Sequence, residues 1–408
     1  MARDRSFLGT APVGSLLRQF AIPSIIAMLV SSLYNIVDQI FIGHSVGMLG
    51  NAATNVAFPL SNTCTALSLL FGIGGAACFN LAMGAGDKDE AGSYIANAAS
   101  MLVISGLCLC VIVQIFLQPL LLAFGSTKDV LPYAMTYTRI TSMGFPFLIL
   151  SIGGGHLIRA DGSPRFSMTC NLVGAITNTI LDAIFILGLD MGMAGAALAT
   201  ILGQILSSCL VINYLRQYKT VNLTLKMFIL TPKVLKVISL GMTPFFNQLA
   251  MMVVQIALNN SMTFYGAASN YGSEIPLACS GIVSKVNMVL FSIIIGISQG
   301  LQPIASFNYG AKNYSRVKEV SLLAIKAGMV VSIFSFILFQ VFPRQIIGLF
   351  GGGSELYYQF AIRYFRIYLF FSCVNCLQPI SSNFFTAIGK PLKGTFLALT
   401  RQALFYYL

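Results

Sequence analysis

Residues 23–43 read PSIIAMLVSSLYNIVDQIFIG, and their only charged side chain is Asp38. An α-helix rises ~1.5 Å per residue, so about 20 residues cross a hydrocarbon core of roughly 30 Å. The stretch, continued back to Leu16, is therefore long and apolar enough to span a bilayer. It would carry one carboxylate at membrane depth, where an unpaired charge is costly.

The pattern repeats along the whole chain of 408 residues, of which 56% are hydrophobic and 9% charged. Apolar blocks predict spans near 16–41, 54–81, 91–118, 131–158, 166–188, 193–215, 234–264, 277–305, 318–341, 359–386 and 394–408. The blocks lack the alternation of lipid-facing and lumen-facing residues that a barrel needs, so each must satisfy its backbone as a helix. The expected fold is an all-α polytopic membrane protein.

The net charge of +12 is distributed as a topological signal. With the N-terminus in the cytosol, the inner segments hold Arg3, Arg5, Arg18, Lys88, Arg159, Arg165, Arg216, Lys219, Lys226, Lys233 and Lys236, and later Lys312, Arg316, Lys318, Lys390 and Lys393. The outer loops hold Lys128 and Arg344. That bias places the N-terminus inside. The basic residues are not interleaved with aromatics, so nucleic acid is not an expected partner. The nine cysteines lie inside apolar blocks, where free Cys behaves as a small hydrophobe, and Cys373-x-x-Cys376 has no second pair or histidine beside it. No P-loop or Ser/His/Asp set occurs and the loops are too short for a catalytic domain. Neither an enzyme nor an ATP-driven pump is expected, and no cofactor beyond a coupling ion.

The basic, polar stretch from Arg216 to Lys236 divides the chain. Across it, Tyr137-Thr138-Arg139-Ile140 matches Tyr364-Phe365-Arg366-Ile367, and Ala160, Gly162 and Pro164 match Ala387, Gly389 and Pro391, all 227 residues apart. Gly74, Gly84 and Ala85 match Gly300, Gly310 and Ala311 at 226. Two six-helix bundles of parallel sense are implied, related by an axis along the membrane normal with a cavity between them. The expected division is 1–215 for the first lobe, 216–233 for a cytosolic linker and 234–408 for the second. By the same offset a complete second lobe would extend past Leu408, so it is expected to be cut short within an eleventh span.

Two acidic residues lie within spans, Asp38 in the first and Asp182 in the fifth. Counted from Arg18 and Arg165, both fall about 25–30 Å from the inner flank. Equal depth suggests a shared site. Asn35 and Asn178 precede their carboxylates by three and four residues, on the same helical faces. Tyr137, Thr200 and Ser61 fall at similar depth. Carboxylates, amides and hydroxyls are the hard oxygen ligands of a small cation such as Na+. Two close carboxylates in low dielectric also cannot both stay ionised, so the pair can hold a proton. The alternative is a structural Asp–Asn pairing. Pro23 frees a carbonyl in the first helix and permits a bend. The second half has no embedded carboxylate; it has Lys285, Gln248, Gln255, Asn259 and Gln378. Lys285 either faces the cavity and answers the acidic cluster, or snorkels to the outer interface. His44 and His156 have no metal-type company, and no metal site is expected beyond Na+ at Asp38 and Asp182.

Residues 23–43, the run from Asn178 to Thr200 (NTILDAIFILGLDMGMAGAALAT) and residues 296–312 (GISQGLQPIASFNYGAK) resemble the multidrug and toxic compound extrusion (MATE) transporters. The nearest likeness is to the bacterial branch with DinF-like and MepA-like members. Asn178-x-x-x-Asp182 and the Gly-x-x-Gly-Ala-Ala run from Gly192 are the most specific parts. The resemblance implies two lobes of six helices in a bacterial cytoplasmic membrane, acting as a monomer. It implies export of bulky cationic or aromatic compounds, antibiotics included, in exchange for H+ or Na+. The first-lobe acidic site of the family maps onto Asp38, Asn178, Asp182 and Thr200, with Tyr137 and Pro23 associated. The expected mechanism is alternating access, with a cavity lined by Phe, Met and Tyr. A lipid-linked oligosaccharide flippase of the same wider superfamily is the alternative, and it would require a strongly cationic cavity.

Overall fold

The structure, a computed structural model, describes residues 6–271, 274–348 and 355–407. Arg3 and Arg5, and the side chains of His44 and Asn259, lie outside the described residues. Among these residues there are helices and turns but no strand. The first half comprises α1 (Ser6–Thr10), α2 (Val13–Ser45), α3 (Met48–Ala85), α4 (Lys88–Ile115), α5 (Leu117–Ala123), α6 (Leu131–Met143), α7 (Phe145–Ala160), α8 (Pro164–Asp182) and α9 (Gly192–Arg216). The second comprises α10 (Lys233–Ala267), α11 (Glu274–Gly310), α12 (Tyr314–Val341), α13 (Pro343–Gly348), α14 (Glu355–Tyr368), α15 (Leu377–Ala387) and α16 (Pro391–Tyr407). Nine of the described helical segments are long and apolar enough to cross a membrane, or ten with the bent pair α6–α7.

The span expected over 131–158 is broken by 56° between α6 and α7. Gly144 sits at the break, and Pro146 supplies no N–H to the turn behind it. The chain breaks at the equivalent place in the second half, where a 3-10 turn over Phe370–Cys373 separates α14 from α15. Gln114 donates to the Arg139 carbonyl at 2.8 Å, and Gln340 donates to that of Arg366 at 3.0 Å. Gly162 and Gly389 both take positive φ, 78° and 75°, immediately before the helices that begin at Pro164 and Pro391. The repeat therefore governs backbone geometry as well as residue identity.

Glycine contacts between the halves define the pseudo-twofold relation. A Cβ on Gly84 would stand 2.1 Å from the Phe307 carbonyl oxygen, and one on Gly310 would stand 2.2 Å from that of Leu81. Both members of that exchange are 226 residues apart, so α3 and α11 cross on the axis itself. A Cβ on Gly241 would stand 1.8 Å from the Leu70 carbonyl oxygen, and one on Gly296 would stand 2.5 Å from the Ile25 side chain. Two further crossings, α3 with α10 and α2 with α11, are thereby equivalent. Without a hydrophobic drive between helices in lipid, close backbone approach at small residues supplies the packing. These contacts cluster toward the basic helix ends, near Lys88 and Lys312, and seal the molecule there.

The apolar core is correspondingly double. One core runs from Ile42 to Leu240, and the other joins Leu8–Ala21 to residues from Cys279 to Ala387. The first turns of α2 thus pack in the second core, while the start of α10 (Val237, Leu240) packs in the first. α2 crosses from one core to the other, and α10 runs from the first core to contacts with α15 and α16. Residues 217–232, which join α9 to α10, lie against the first half. There Asn97 donates to the Met227 carbonyl at 3.0 Å and accepts from the Thr231 N–H at 2.9 Å.

Gly241→Ala should lower the detergent-solubilised unfolding temperature by several degrees, as overpacking against backbone costs about 1–3 kcal/mol. Gly281→Ala, whose Cβ would meet nothing within 4 Å, should be neutral or slightly stabilising. Equal effects in a thermal-shift measurement would contradict the crossing geometry.

Candidate ion-coupling site and adjoining cavity

α2 and α8 pack along one another and bring Asp38 and Asp182 together. Both lie within two turns of the helical ends remote from the basic face, since α2 ends at Ser45 and the helical run from α8 ends at Gly188. Their carboxyl groups are near neighbours. Asp182 is fully buried and Asp38 half-buried. The Oδ1 atom of each is buried with no hydrogen-bond partner in the protein. Unsatisfied buried oxygens of this kind cost free energy unless a proton or cation completes them.

Asn178 is 4% exposed. With its nitrogen facing the carboxylate, it donates to Asp182 Oδ2 at 3.2 Å and accepts from the Thr200 N–H at 3.2 Å. It therefore ties α8 to α9 through the acid. The Thr200 hydroxyl donates to Ala196 O at 2.9 Å, and the Tyr137 phenol on α6 lies near Asp38, Asp182 and Thr200. Immediately after Asp182 the helix widens into a π-turn over Ala183–Gly188. Such turns offset side chains from α-helical register and are frequent at functional sites.

Toward the basic end a cavity of ≈ 90 Å³ adjoins this cluster, lined in part by Tyr34, Ser151, Asn171, Asn178, Thr200 and Gln204. It is large enough for several waters and polar enough to hold them. A second cavity of ≈ 390 Å³ lies between α2, α10, α11 and the α14–α15 break. Met28, Met251, Met288, Phe291, Tyr368 and Phe371 contribute its soft and aromatic surface, while Gln255, Asn287 and Asn375 supply amides. Among the described residues, none that lines it is Lys, Arg, Asp, Glu or His. Ser31 of α2 lines both cavities, and Ser32 is hydrogen-bonded to Ser292 of α11 at 2.7 Å. A single helix separates the acidic cluster from the larger cavity.

Asp38, Asp182, Asn178, Thr200 and Tyr137 are thus brought together. Asn35 is exposed, and its amide donates to the Ser31 carbonyl at 2.7 Å, one turn back on its own helix. Ser61 is exposed on α3. Pro23 is buried inside α2, and the neighbouring Ser24 hydroxyl donates to the Phe20 carbonyl at 2.9 Å. Lys285 is half-buried on α11, between lining residues Ser284 and Asn287, but is not itself part of the lining. Gln255 lines the larger cavity; Gln248 donates to Asn62 at 2.8 Å and Gln378 to Ser382 at 3.0 Å. His156 is buried beside the end of α7. Among the described residues no group of three or more His, Cys, Asp or Glu could hold a metal ion. Tyr34 and Asn171 were not selected from the sequence. Their signal was helical phase, with Tyr34 one turn before Asp38 and Asn171 two turns before Asn178.

An all-helical bundle of two repeated halves, with two acids within the spans of one lobe and a closed basic end, is an architecture found among membrane transporters. The MatE family model matches residues 23–184 and 249–406, two segments whose starts are 226 residues apart. The chain belongs to the MatE family. It is 26% identical over 343 residues to the multidrug export protein MepA of Staphylococcus saprophyticus, covering 83% of this chain and 73% of that protein. It is 24% identical over 398 residues to MepA of Staphylococcus aureus strain MSSA476, covering 97% and 86%. Its fold matches, with a TM-score of 0.91 and 23% identity, the outward-facing conformation of a multidrug resistance MATE family transporter of the MOP superfamily, covering 99% and 89%.

Asn178→Ala should cut export by about tenfold, as expected for losing a hydrogen bond to a buried charged group. Asn35→Ala should retain near-normal export. Ethidium efflux from energised cells at matched expression checks both, and the reverse ranking would contradict the site.

Proposed function

We propose that the protein is a multidrug exporter of the bacterial plasma membrane that exchanges bulky organic cations or aromatic compounds for H+ or Na+. The observation that carries the reading is the Asp38–Asp182 pair, separated by one helix from a larger uncharged cavity. Multidrug export in the two MepA relatives supports the substrate class. Met side chains adapt their shape and aromatic faces attract cations, so the larger cavity suits varied, charge-delocalised compounds.

In this proposal the sealed basic end faces the cytosol, so the cavity opens outward. A proton or sodium ion arriving at Asp38 and Asp182 completes their unpartnered oxygens and changes the fit of α2 against α8. Because α2 also walls the larger cavity, its movement weakens substrate binding there. The ion-loaded protein then closes outside and opens inside, releases the ion and takes up the next substrate. One positive charge moving inward gains about 2.3 kcal/mol per 100 mV. Asn178 and Thr200 fix the geometry of Asp182, and Pro23 gives α2 a place to bend. A flippase of lipid-linked sugars would need cationic groups facing an anionic headgroup, and the described residues lining the cavity include none.

Inside-out vesicles with an acid interior and a fluorescent pH probe test the exchange. Ethidium should trigger proton efflux with the unmodified protein, and Asp182→Asn should reduce it to background. If neither a proton nor a sodium gradient drives ethidium uptake, the antiport reading is wrong.

A further inference from the structure

Two cavities at the basic end play no part in the coupling site. The first, ≈ 600 Å³, lies between α4, α7, α9 and the connection to α10, and its lining includes Val103, Ile104, Leu150, Ile212, Leu215 and Phe228. The second, ≈ 610 Å³, is polar and includes Lys88, Asp89, Arg216, Lys219, Thr220 and Asn222. Arg216 and Leu223 line both, so the two adjoin at these residues. Along α4 the apolar cavity begins roughly 16 Å beyond Lys88 and reaches about 24 Å at Ile104, which is membrane depth. Val103, Ile104 and Leu107 are exposed on that helix, where their surroundings are acyl chains.

The walls are fixed by hydrogen bonds. Ser100 donates to the Phe228 carbonyl at 2.8 Å, and Asn97 holds Met227 and Thr231. On the polar side, buried Asp161 accepts from the Tyr214 hydroxyl at 2.7 Å, the Lys219 N–H at 2.9 Å and the Thr220 hydroxyl. The Lys219 ammonium bonds Ser163 and lies over the Tyr214 ring. Three cationic side chains and one carboxylate, Asp89, line the basin, so its balance is positive. Leu225, on the connecting turn, is 89% exposed, an apolar side chain at the membrane boundary.

We propose that this paired cavity binds one anionic phospholipid of the inner leaflet. Its phosphate lies at Arg216, whose planar fork suits phosphate oxygens, with Lys88 and Lys219 beside it. An acyl chain fills the apolar cavity, whose size falls within the usual range for ligand sites. A soluble anion would use the basin but leave the apolar half unfilled. The bound lipid would fasten the connection between the two halves to α4 and α9. The inference takes the basic end as cytosolic from the charge bias and does not depend on the coupling ion.

The test uses the full chain in detergent, titrated with phosphatidylglycerol or with phosphatidylcholine of the same acyl chains. Thermal shift and lipid adducts in native mass spectrometry are the readouts. Phosphatidylglycerol should raise the unfolding temperature by several degrees and leave one retained adduct, and phosphatidylcholine should do neither. Arg216→Gln should raise the half-maximal lipid concentration about fivefold, the effect of one basic residue near an anionic headgroup. Ile104→Trp, which fills the apolar half, should abolish the adduct. Arg216 and Ile104 are both exposed, so each variant should unfold near the unmodified temperature without lipid, which separates lost binding from lost folding. Equal shifts with the two lipids, an unchanged titration in both variants, or a full shift with glycerol phosphate alone would each overturn the proposal.

Discussion

Two carboxyl groups facing each other inside a largely apolar helical lobe are the constraint on which the rest of the structure depends. Neither α2 nor α8 alone could hold its acid cheaply at membrane depth, where a charged side chain costs several kcal/mol. Packed together, they give each carboxyl a polar neighbour, and Asn178 joins the pair to α9. One oxygen of each carboxyl has no hydrogen-bond partner in the protein, and it is there that the proposed proton or cation would bind.

The position of α2 turns that local chemistry into something the whole molecule feels. Its first turns belong to the second core, Ile42 belongs to the first, and Ser31 lines both the small polar chamber and the larger cavity. The equivalent crossing of α10 makes the arrangement nearly symmetric in backbone, yet the chemistry is one-sided. Among the described residues, acids deep within the spans occur only in the first half, and the cavity facing the second half is built largely from Met, aromatics and amides. In the proposed mechanism ion and substrate act on opposite faces of one helix. They need not share ligands.

Much of this was legible in the sequence. Apolar block length gave the fold class, because lipid allows a single-chain helix few alternatives. The repeated glycines were legible for a further reason: Gly84 and Gly310 occupy reciprocal contacts, so the symmetry that keeps one keeps the other. Asp38 and Asp182 stood out because charge within a span is rare. Less legible were features set by packing across helices. The break between α6 and α7 is one, since Gly144 and Pro146 also occur in unbroken spans. The choice between Tyr34 and Asn35 is another, because both lie near the face of Asp38 and only the neighbouring helix decides which turns inward. The π-turn after Asp182 leaves no mark in hydropathy. The paired cavity at the basic end is likewise made by a connection whose sequence reads simply as polar and basic.

The account's central claim is that ion occupancy at Asp38 and Asp182 sets the relation between the two halves. Spin labels at Lys128 and Gln345, on the end of the molecule opposite the basic face, would report it by pulsed distance measurement in lipid nanodiscs. The distance distribution should shift between proton- or sodium-poor and ion-rich conditions in the unmodified protein. It should stay fixed in Asp182→Asn. An ion-dependent shift that survives the substitution unchanged would contradict the account.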